Sequence, residues 1–158
     1  MSGAGSMSKI VLRRAERTDI DLLYKWANDP IVRTNSFNTE PIPYENHVKW
    51  FNRIMEDPNV LQFVLMDDEL PVGQIRLNID GREAEIGYSI GSEFRGKGYG
   101  HKILKLVADE VQKNHPEILS LIAKVKPENI ASNRLFITEG YTTQFLCFEK
   151  MIGETDEL

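Results

Sequence analysis

The segment from Glu85 to Leu104, EIGYSIGSEFRGKGYGHKIL, constrains the fold of this chain more than any other stretch. Apolar and polar residues alternate at its start, as in a strand, and its end opens a helical pattern of apolar residues that continues to Val111. Between them, Arg95–Gly100 contains three glycines and two cations. Helix N-termini present unpaired N–H groups, and glycine lets a ligand approach them closely. The segment therefore predicts a phosphate site at a strand-to-helix turn, against the alternative of a tight turn with two solvated cations.

Two common phosphate-binding loops do not fit this segment. Gly91–Lys97 matches the start of the pattern GxxxxGK(S/T), but Gly98 stands where the hydroxyl that binds Mg²⁺ is required. The dinucleotide pattern GxGxxG fails as well, because its last glycine would fall on His101 or, with a later start, on Ile103. The segment therefore argues against an NTPase and against a Rossmann-type cofactor site.

The rest of the sequence predicts a single α/β domain with the element order β-α-α-β-β-β-α-β-α-β. The predicted strands are KIVLRRAE, NVLQFVLMD, PVGQIRLNI, EAEIGYSI, ILSLIAKV and YTTQFLCFEKMI. The predicted helices are TDIDLLYKWANDP, YENHVKWFNRIME, the helix that follows Gly100, and ENIASNRLFITEG, with VRTNSFNTEPIP as a polar loop. Asp80-Gly81 predicts a tight hairpin turn. This order favours a mixed, mostly antiparallel sheet with helices on both faces. We expect residues 1–8 to be a disordered leader or cloning remnant and residues 9–158 to form the domain.

The composition of the 158-residue chain argues against several classes of function. Nineteen Lys and Arg against twenty-four Asp and Glu leave a net charge of −5, which argues against a broad nucleic-acid surface. No apolar run approaches the length of about 18 residues that a membrane span needs, and a cytoplasmic location is the default expectation. The three histidines lack the spacing of a metal site. Cys147, the single cysteine, lies among apolar residues and is predicted to be a buried strand thiol.

A third pattern fits the glycine segment fully. Arg95–Gly100 matches (Q/R)xxGx(G/A), the pyrophosphate loop of the GNAT N-acetyltransferases. Downstream, NIASNRLFITEGY resembles the N-x-x-(A/S)-x-x-L-(Y/F)-x-x-x-G-(F/Y) helix of that family, and AEIGYSI resembles the strand before its loop. From about Lys9 to Ile152 the chain thus resembles a GNAT enzyme. The resemblance implies the GNAT fold, acetyl-CoA as co-substrate, and direct attack of a primary amine on the acetyl group.

The resemblance also implies roles for residues of a cofactor site. Backbone amides of the loop would hold the pyrophosphate of coenzyme A, and backbone groups of Ser89 and Ile90 would bind the pantetheine between the fourth and fifth strands. The amide of Ile90 would also polarise the thioester carbonyl. In the simpler alternative, Ile90 is only core and Asn129 only a helix cap. The residues predicted to contact the cofactor are Ser89, Ile90, Arg95, Gly96, Lys97, Gly98, Tyr99, Gly100, Asn129, Ser132 and Phe136.

The attacking amine needs a base, because a free alkyl amine is mostly protonated at neutral pH. Glu85 is the predicted general base, since it precedes the loop and shares a strand face with Gly87 and Ser89. Glu83 and His47 are alternatives. An ordinary solvated or salt-bridged carboxylate is the competing interpretation of Glu85.

The acid that protonates the leaving thiolate is not assigned by the resemblance. Many GNAT members place a tyrosine in the downstream helix for this role, and Phe136 occupies the matching position here. The thiolate would then leave unaided, or Tyr99, Tyr141 or water would supply the proton.

The acceptor is expected to bind between NDPIVRTNSFNTEPIPYENHVKWF and the strand PVGQIRLNI. The predicted substrate residues are Arg33, Tyr44, His47, Trp50 and Arg76, of which the arginines suit a diphosphate and Trp50 or Tyr44 suits stacking. These stretches resemble the GNAT branch that acetylates nucleotide-linked amino sugars, as in pseudaminic acid synthesis. Two alternatives stay open: a protein N-terminal acetyltransferase of the ribosomal-protein type, and a non-catalytic acetyl-CoA-binding module. A homodimer is a family expectation.

Overall fold

The computed structural model describes residues 8–153, which contain a five-stranded mixed sheet. The first four strands pair antiparallel with their neighbours, and the fifth lies parallel to the fourth at one edge. The strands are β1 (Ile10–Arg14), β2 (Val60–Asp67), β3 (Leu70–Asp80), β4 (Glu83–Ile90) and β5 (Ser120–Ala123). The predicted mixed, mostly antiparallel sheet is confirmed.

Helices cover both faces of this sheet. They are α1 (Ile20–Ala27), α2 (Pro30–Asn35), α3 (Tyr44–Glu56), α4 (Tyr99–Asn114) and α5 (Ile130–Thr138), with 3₁₀ turns at Arg17–Asp19 and Ser92–Phe94. On one face, Ile75 of β3 packs in a core with Ile103 and Val107 of α4. On the other face, Val64 of β2 packs in a second core with Phe51 of α3. None of the helices within the described residues is long and apolar enough to cross a membrane.

Helix α2 lies in a stretch that the sequence predicts as polar loop. Pro30 occupies its first position, where the missing N–H would be unpaired in any case. Asp29 caps the helix by accepting hydrogen bonds from the N–H groups of Ile31 at 2.9 Å and Val32 at 3.3 Å. The loop prediction is wrong because Asp29-Pro30 starts a second helix here and does not merely end α1.

The predicted last strand, residues 141–152, is not a strand in the structure. Tyr141 packs edge-on against Phe136 with ring centroids 5.0 Å apart. Beyond it, five large apolar side chains are exposed: Phe145, Leu146, Phe148, Met151 and Ile152. Cys147 is exposed as well, so the prediction of a buried strand thiol is wrong. A strand needs a neighbouring edge for its backbone groups, and this segment joins no sheet within residues 8–153.

Strands β4 and β5 pair over only half of β4. The parallel register runs from Glu83↔Ser120 to Ile86↔Ala123 and stops where β5 ends. The predicted strand ILSLIAKV is thus reduced to its central four residues. The second half of β4, Gly87–Ile90, keeps its pairing with β3 and has a free edge on the side of β5. A gap in the sheet therefore opens at the C-terminal end of β4.

An ion pair fastens β1 to the start of α1. Arg13 donates two hydrogen bonds to the Asp19 carboxylate, at 2.8 and 2.9 Å, and the N–H of Glu16 donates a third at 2.7 Å. The Asp19 side chain is only 8% exposed. The hydrogen bond from Arg13 outweighs the opposing effect of burial and lowers the pKa of Asp19. The charged form of Asp19 therefore stabilises the fold.

Asp19→Asn should lower the free energy of unfolding by about 2 kcal/mol at pH 7, because it removes the partner of Arg13. Since the pKa of Asp19 is lowered in the folded state, this contribution is present above about pH 4 and is lost as the pH falls through the folded pKa. Urea denaturation at pH 7 and pH 3 should show the two proteins converging at the lower pH. Asp109→Asn, at an exposed position of α4, is the control. A difference that does not change with pH would contradict the ion-pair explanation.

Candidate active site

A groove of about 840 Å³ runs along the free edge of β4. Gly87–Ile90 forms one wall of the groove, and residues 123–125 at the end of β5 form the other. The glycine segment lies at one end, and Asn129, Ser132 and Phe136 line the groove from α5 and its cap. The structure thus brings together most of the residues predicted to contact the cofactor.

The backbone of β4 directs two N–H groups into this groove. The N–H of Gly91 donates to the carbonyl of Val72 on β3 at 2.8 Å, and successive residues of a strand direct their N–H groups to opposite sides. Ile90 and Tyr88 therefore present their N–H groups to the free edge. The backbone of Ser89 faces β3 by the same alternation. The predicted backbone contact of Ser89 with pantetheine is thus wrong, and Tyr88 occupies the free edge in its place.

The three glycines of Arg95–Gly100 serve different purposes. Gly96 and Gly98 have φ values of +76° and +84°, in the left-handed region that residues with a Cβ avoid. Gly98 immediately precedes α4, so its conformation determines how the first turn of that helix begins. Gly100 lies where a Cβ would come within 2.9 Å of a methyl carbon of Leu135 on α5. The predicted strand–loop–helix turn is confirmed, with the unpaired amides of α4 at the end of the groove.

Two of the three side chains in the glycine segment have polar partners, and the third is exposed to solvent. Arg95 forms an ion pair with Asp29, the cap of α2, at 3.0 Å. Tyr99 donates its hydroxyl to Asp67 at the end of β2, and this hydrogen bond raises the pKa of Tyr99. Lys97 is exposed to solvent. This end of the groove is therefore formed mainly by backbone, with Arg95 as the fixed cation beside it.

Helix α5 presents a small polar and aromatic cluster to the groove. The side-chain oxygen of Asn129 accepts from the N–H of Ser132 at 3.2 Å, so Asn129 caps the helix. The Ser132 hydroxyl lies 2.7 Å from the hydroxyl of Tyr88. Phe136 is 6% exposed and packs edge-on against both Tyr88 and Tyr141, at centroid distances of 5.8 and 5.0 Å. The sequence analysis did not predict Tyr88 as a site residue. It could have done so, because Tyr88 is two residues from Ile90 on β4 and therefore shares its strand face.

A smaller cavity, of about 190 Å³, lies on the opposite face of β4. It is lined by Leu23, Ala27, Val32, Arg33, Ser36, Trp50, Gln62, Gln74, Arg76, Gly87, Tyr88 and Ser89. Gln62 donates to Gln74 at 2.8 Å, and Gln74 donates to the Ser89 hydroxyl at 3.1 Å, which lines up three polar side chains along one wall. The lining thus includes two arginines and, among the residues that the structure describes, no acidic side chain.

Arg76 carries the least compensated charge of this cavity. Its guanidinium carbon lies 5.2 Å from the ring centroid of Trp50. Within the described part of the chain it forms no ion pair, and Glu85 attracts it only at longer range. Burial lowers the pKa of Arg76, but a guanidinium still stays charged at neutral pH. A partly buried cation of this kind favours an anionic group from a ligand.

The structure brings three of the five predicted acceptor residues to the smaller cavity. Arg33, Trp50 and Arg76 line it, although Arg33 also donates to one backbone carbonyl at the end of α1 and to two in the loop that follows α2. Tyr44 lies outside the cavity and donates its hydroxyl to a carboxylate of α1. His47 is buried in the core, 2% exposed, with a ring nitrogen 2.8 Å from a carbonyl of α1. The sequence alone does not distinguish such a core histidine from one that faces a ligand.

Glu85, the predicted general base, lines the groove where β4 and β5 still pair. Its carboxylate lies 3.2 Å from the ammonium of Lys124, and its side chain is 39% exposed. Ile90 follows Glu85 by five positions along the strand, a distance of about 17 Å. A proton lost by an amine near Ile90 would therefore reach Glu85 only through water. The alternative base Glu83 lies farther away, at the start of β4.

Residues 9–142 match the family model described as the acetyltransferase (GNAT) domain. The chain belongs to the GNAT acetyltransferase family. It is therefore an acetyl-CoA-dependent N-acetyltransferase, and acetyl-CoA is its co-substrate. The family, the fold class and the co-substrate predicted from the sequence are confirmed.

Several known GNAT proteins are similar to this one. Acetyltransferase PseH of Campylobacter jejuni is 27% identical over 128 residues, which cover 78% of this chain and 77% of that protein. The structure of spermidine N-acetyltransferase from Vibrio cholerae, in complex with CoA and spermine, has a TM-score of 0.77 at 22% identity and covers 86% of this chain and 82% of that chain. Aminoglycoside acetyltransferase AAC(6')-Ib, in complex with coenzyme A, has a TM-score of 0.73 at 18% identity and covers 86% of each chain. The two structural likenesses show the fold.

Gly98→Ala should weaken acetyl-CoA binding by about 5- to 30-fold, because a Cβ at positive φ costs about 1–2 kcal/mol that the loop relieves by moving its amides. Gly81→Ala is the matched control: Gly81 also has positive φ, +62°, but lies in the hairpin turn between β3 and β4. Calorimetric titration gives the affinity, and thermal unfolding gives the stability of each variant. Both variants should lose similar stability, and only Gly98→Ala should lose affinity. Unchanged affinity in Gly98→Ala would rule out the loop as the pyrophosphate site.

Proposed function

We propose that this enzyme transfers the acetyl group of acetyl-CoA to the amino group of a nucleotide-linked amino sugar. The observation that carries the proposal is the charge of the smaller cavity, which is lined by Arg33 and Arg76 although the whole chain has a net charge of −5. The phosphates of a nucleotide sugar would compensate that charge. We propose a cytoplasmic location for the enzyme.

Two likenesses support this class of acceptor. The stretches around Arg33 and Arg76 resemble the amino-sugar branch of the family, and the chain is similar over 128 residues to acetyltransferase PseH. The proteins with the similar structures named above are a spermidine and an aminoglycoside acetyltransferase. Polyamines and aminoglycosides are polycations. A cavity with two arginines and no acidic lining residue within the described chain would repel such acceptors.

In this proposal acetyl-CoA occupies the larger groove. The amides of Arg95–Gly100 and of the first turn of α4 bind its pyrophosphate, and Lys97 adds a cation from the solvent side. The pantetheine pairs with the free edge of β4, and the N–H of Ile90 polarises the thioester carbonyl. Asn129, Ser132 and Phe136 flank the pantetheine. The support is geometric: all of these groups except Lys97 border one groove.

The acceptor occupies the smaller cavity, with its amine at the free edge of β4. Arg76 binds a phosphate, and Trp50 holds the guanidinium in position through its ring. Gln74 and Ser89 offer hydrogen bonds to sugar hydroxyls. Glu85 accepts the amine proton through a chain of water molecules.

Arg76→Gln should raise the KM for a nucleotide-linked amino sugar by about 10- to 100-fold, the usual contribution of a charged hydrogen bond. The affinity for acetyl-CoA should change much less than this KM, because Arg76 of β3 borders both cavities but its ring partner Trp50 lines only the smaller one. Steady-state assays of thiol release and calorimetric titration of acetyl-CoA measure the two effects. Arg53→Gln, at an exposed position of α3, is the control and should change neither value.

A panel of acceptors tests the class of substrate directly. Wild-type enzyme should turn over nucleotide amino sugars and should not turn over spermidine. Turnover of peptides alone would support the N-terminal acetyltransferase alternative. Efficient turnover of spermidine would contradict the argument from cavity charge.

We also propose that two copies of the chain pair through residues 141–152. This segment has the composition of a strand and exposes its apolar side chains, and the outer edge of β5 is unpaired within the described residues. Each copy therefore has a strand-like segment that pairs with no sheet and a β5 edge that pairs with no strand. If each copy added its segment to the β5 edge of the other, the backbone groups of both would be paired, with two-fold symmetry.

Leu146→Asp together with Phe148→Asp should convert such a dimer to a monomer, because charges on the exchanged segment cannot be buried at the interface. The two side chains are 74% and 87% exposed, so the domain itself should stay folded. Light scattering coupled to size-exclusion chromatography measures the mass. Leu70→Asp, at a side chain that is 50% exposed in β3, is the control. A monomeric wild-type chain would contradict the proposed exchange.

A further inference from the structure

The helix position of the expected acid holds Phe136, which has no proton to donate. We propose that Tyr88 instead donates the proton to the sulfur of the leaving coenzyme A, an inference that rests on acetyl-CoA lying in the larger groove. Tyr88 projects from β4 and not from α5, yet its side chain lies beside the helix position of the expected acid. Its ring packs edge-on against Phe136, with the ring centroids 5.8 Å apart.

The hydroxyl of Tyr88 is anchored on α5 at the groove. It lies 2.7 Å from the hydroxyl of Ser132. Ser132 and Phe136 are four residues apart and thus lie on the same face of α5. Tyr88, Ser132 and Phe136 all line the groove beside Ile90, whose N–H points into it. Either hydroxyl can be the donor in this pair, so the proton of Tyr88 is free to point into the groove while Ser132 donates to its oxygen.

The other tyrosines of the chain are placed less well for this step. Tyr99 already donates its hydroxyl to a carboxylate of β2. Tyr141 packs against the aromatic side chain of α5 from outside the groove lining. Tyr24 and Tyr44 pack on each other, 5.0 Å apart, beside α1 and α3 on the opposite face of the sheet. Tyr88 is therefore the tyrosine whose hydroxyl meets the cofactor groove with a proton to donate.

The proposed step conserves atoms and charge. When the C–S bond of the tetrahedral adduct breaks, the electron pair goes to sulfur, the carbonyl re-forms, and the phenol proton of Tyr88 moves to the sulfur. Water reprotonates the phenolate through Ser132, and the proton lost by the amine passes through water to Glu85. Burial raises the pKa of Tyr88, and the hydrogen bond with Ser132 only partly opposes this effect. The phenol therefore remains protonated at neutral pH, as an acid must.

Tyr88→Phe should lower kcat by about 100-fold and leave the KM for acetyl-CoA nearly unchanged, since general acid catalysis typically contributes about 10²–10⁴-fold. The double variant Tyr88→Phe/Phe136→Tyr returns a hydroxyl to the helix position and should recover about tenfold or more of kcat. Tyr141→Phe is the control and should change kcat less than about twofold. A Tyr88→Phe enzyme with wild-type kcat would overturn the proposal.

A binding measurement without any acceptor tests the same contact independently of the amine. Desulfo-coenzyme A lacks the thiol of coenzyme A, and this thiol is partly ionised to the thiolate at pH 9. Wild type should bind coenzyme A about tenfold more tightly than desulfo-coenzyme A, and Tyr88→Phe should reduce that ratio to about one. Equal weakening of both ligands in Tyr88→Phe would make Tyr88 a pantetheine contact and overturn its role as acid. Failure of the wild type to bind either ligand would overturn the proposed groove instead, so the two failures are distinguishable.

Discussion

The early separation of β4 from β5 is the constraint on which the candidate active site depends. Their pairing ends at Ile86↔Ala123, although β4 continues to Ile90. Backbone donors that a complete sheet would use therefore stay free, and a buried free donor has to find a partner. Helix α4 begins with unpaired amides at one end of the same gap, and α5 closes its side. A longer β5 would fill the gap and remove the groove without changing any residue that lines its other walls.

The parts of this arrangement that depend on neighbours in sequence could be predicted. The hairpin at Asp80-Gly81 and the strand–loop–helix turn around Gly98 follow from backbone conformations that one or two residues determine. The pattern of the glycine segment also predicted the family and the co-substrate. Its physical interpretation needed the structure, because close approach to a ligand was expected of all three glycines. Gly96 and Gly98 provide left-handed conformations, and Gly100 makes room for α5.

The predictions that failed depend on partners distant in sequence. The apolar pattern of residues 141–152 predicts a strand, but only a neighbouring edge makes one. The alternation of residues along β4 predicts the sheet face on which each side chain lies. It does not predict toward which neighbouring strand the N–H of Ser89 points, because that depends on the register with β3. The burial of His47 likewise depends on how α3 packs on α1. The two arginines of the smaller cavity were predicted, but the lack of an acidic side chain among its described lining residues could not be, because six elements contribute to that lining.

In the proposed function, alternation along β4 places the cofactor and the acceptor on two faces of one strand. Tyr88 and Ile90 have side chains toward α5 and the cofactor groove, whereas Gly87 and Ser89 face the smaller cavity. A Cβ at Gly87 would lie 3.2 Å from the guanidinium of Arg76, so the glycine gives that cation its room and keeps the wall between the two cavities thin. Under this proposal, the negative charge of acetyl-CoA is bound mainly by backbone amides that the fold itself positions. The negative charge of the acceptor is bound by side chains, above all Arg76. In the proposed function, one fold can therefore bind acetyl-CoA in the same way whatever the charge of the acceptor, because side chains of α2 and β3 at the smaller cavity determine the acceptor.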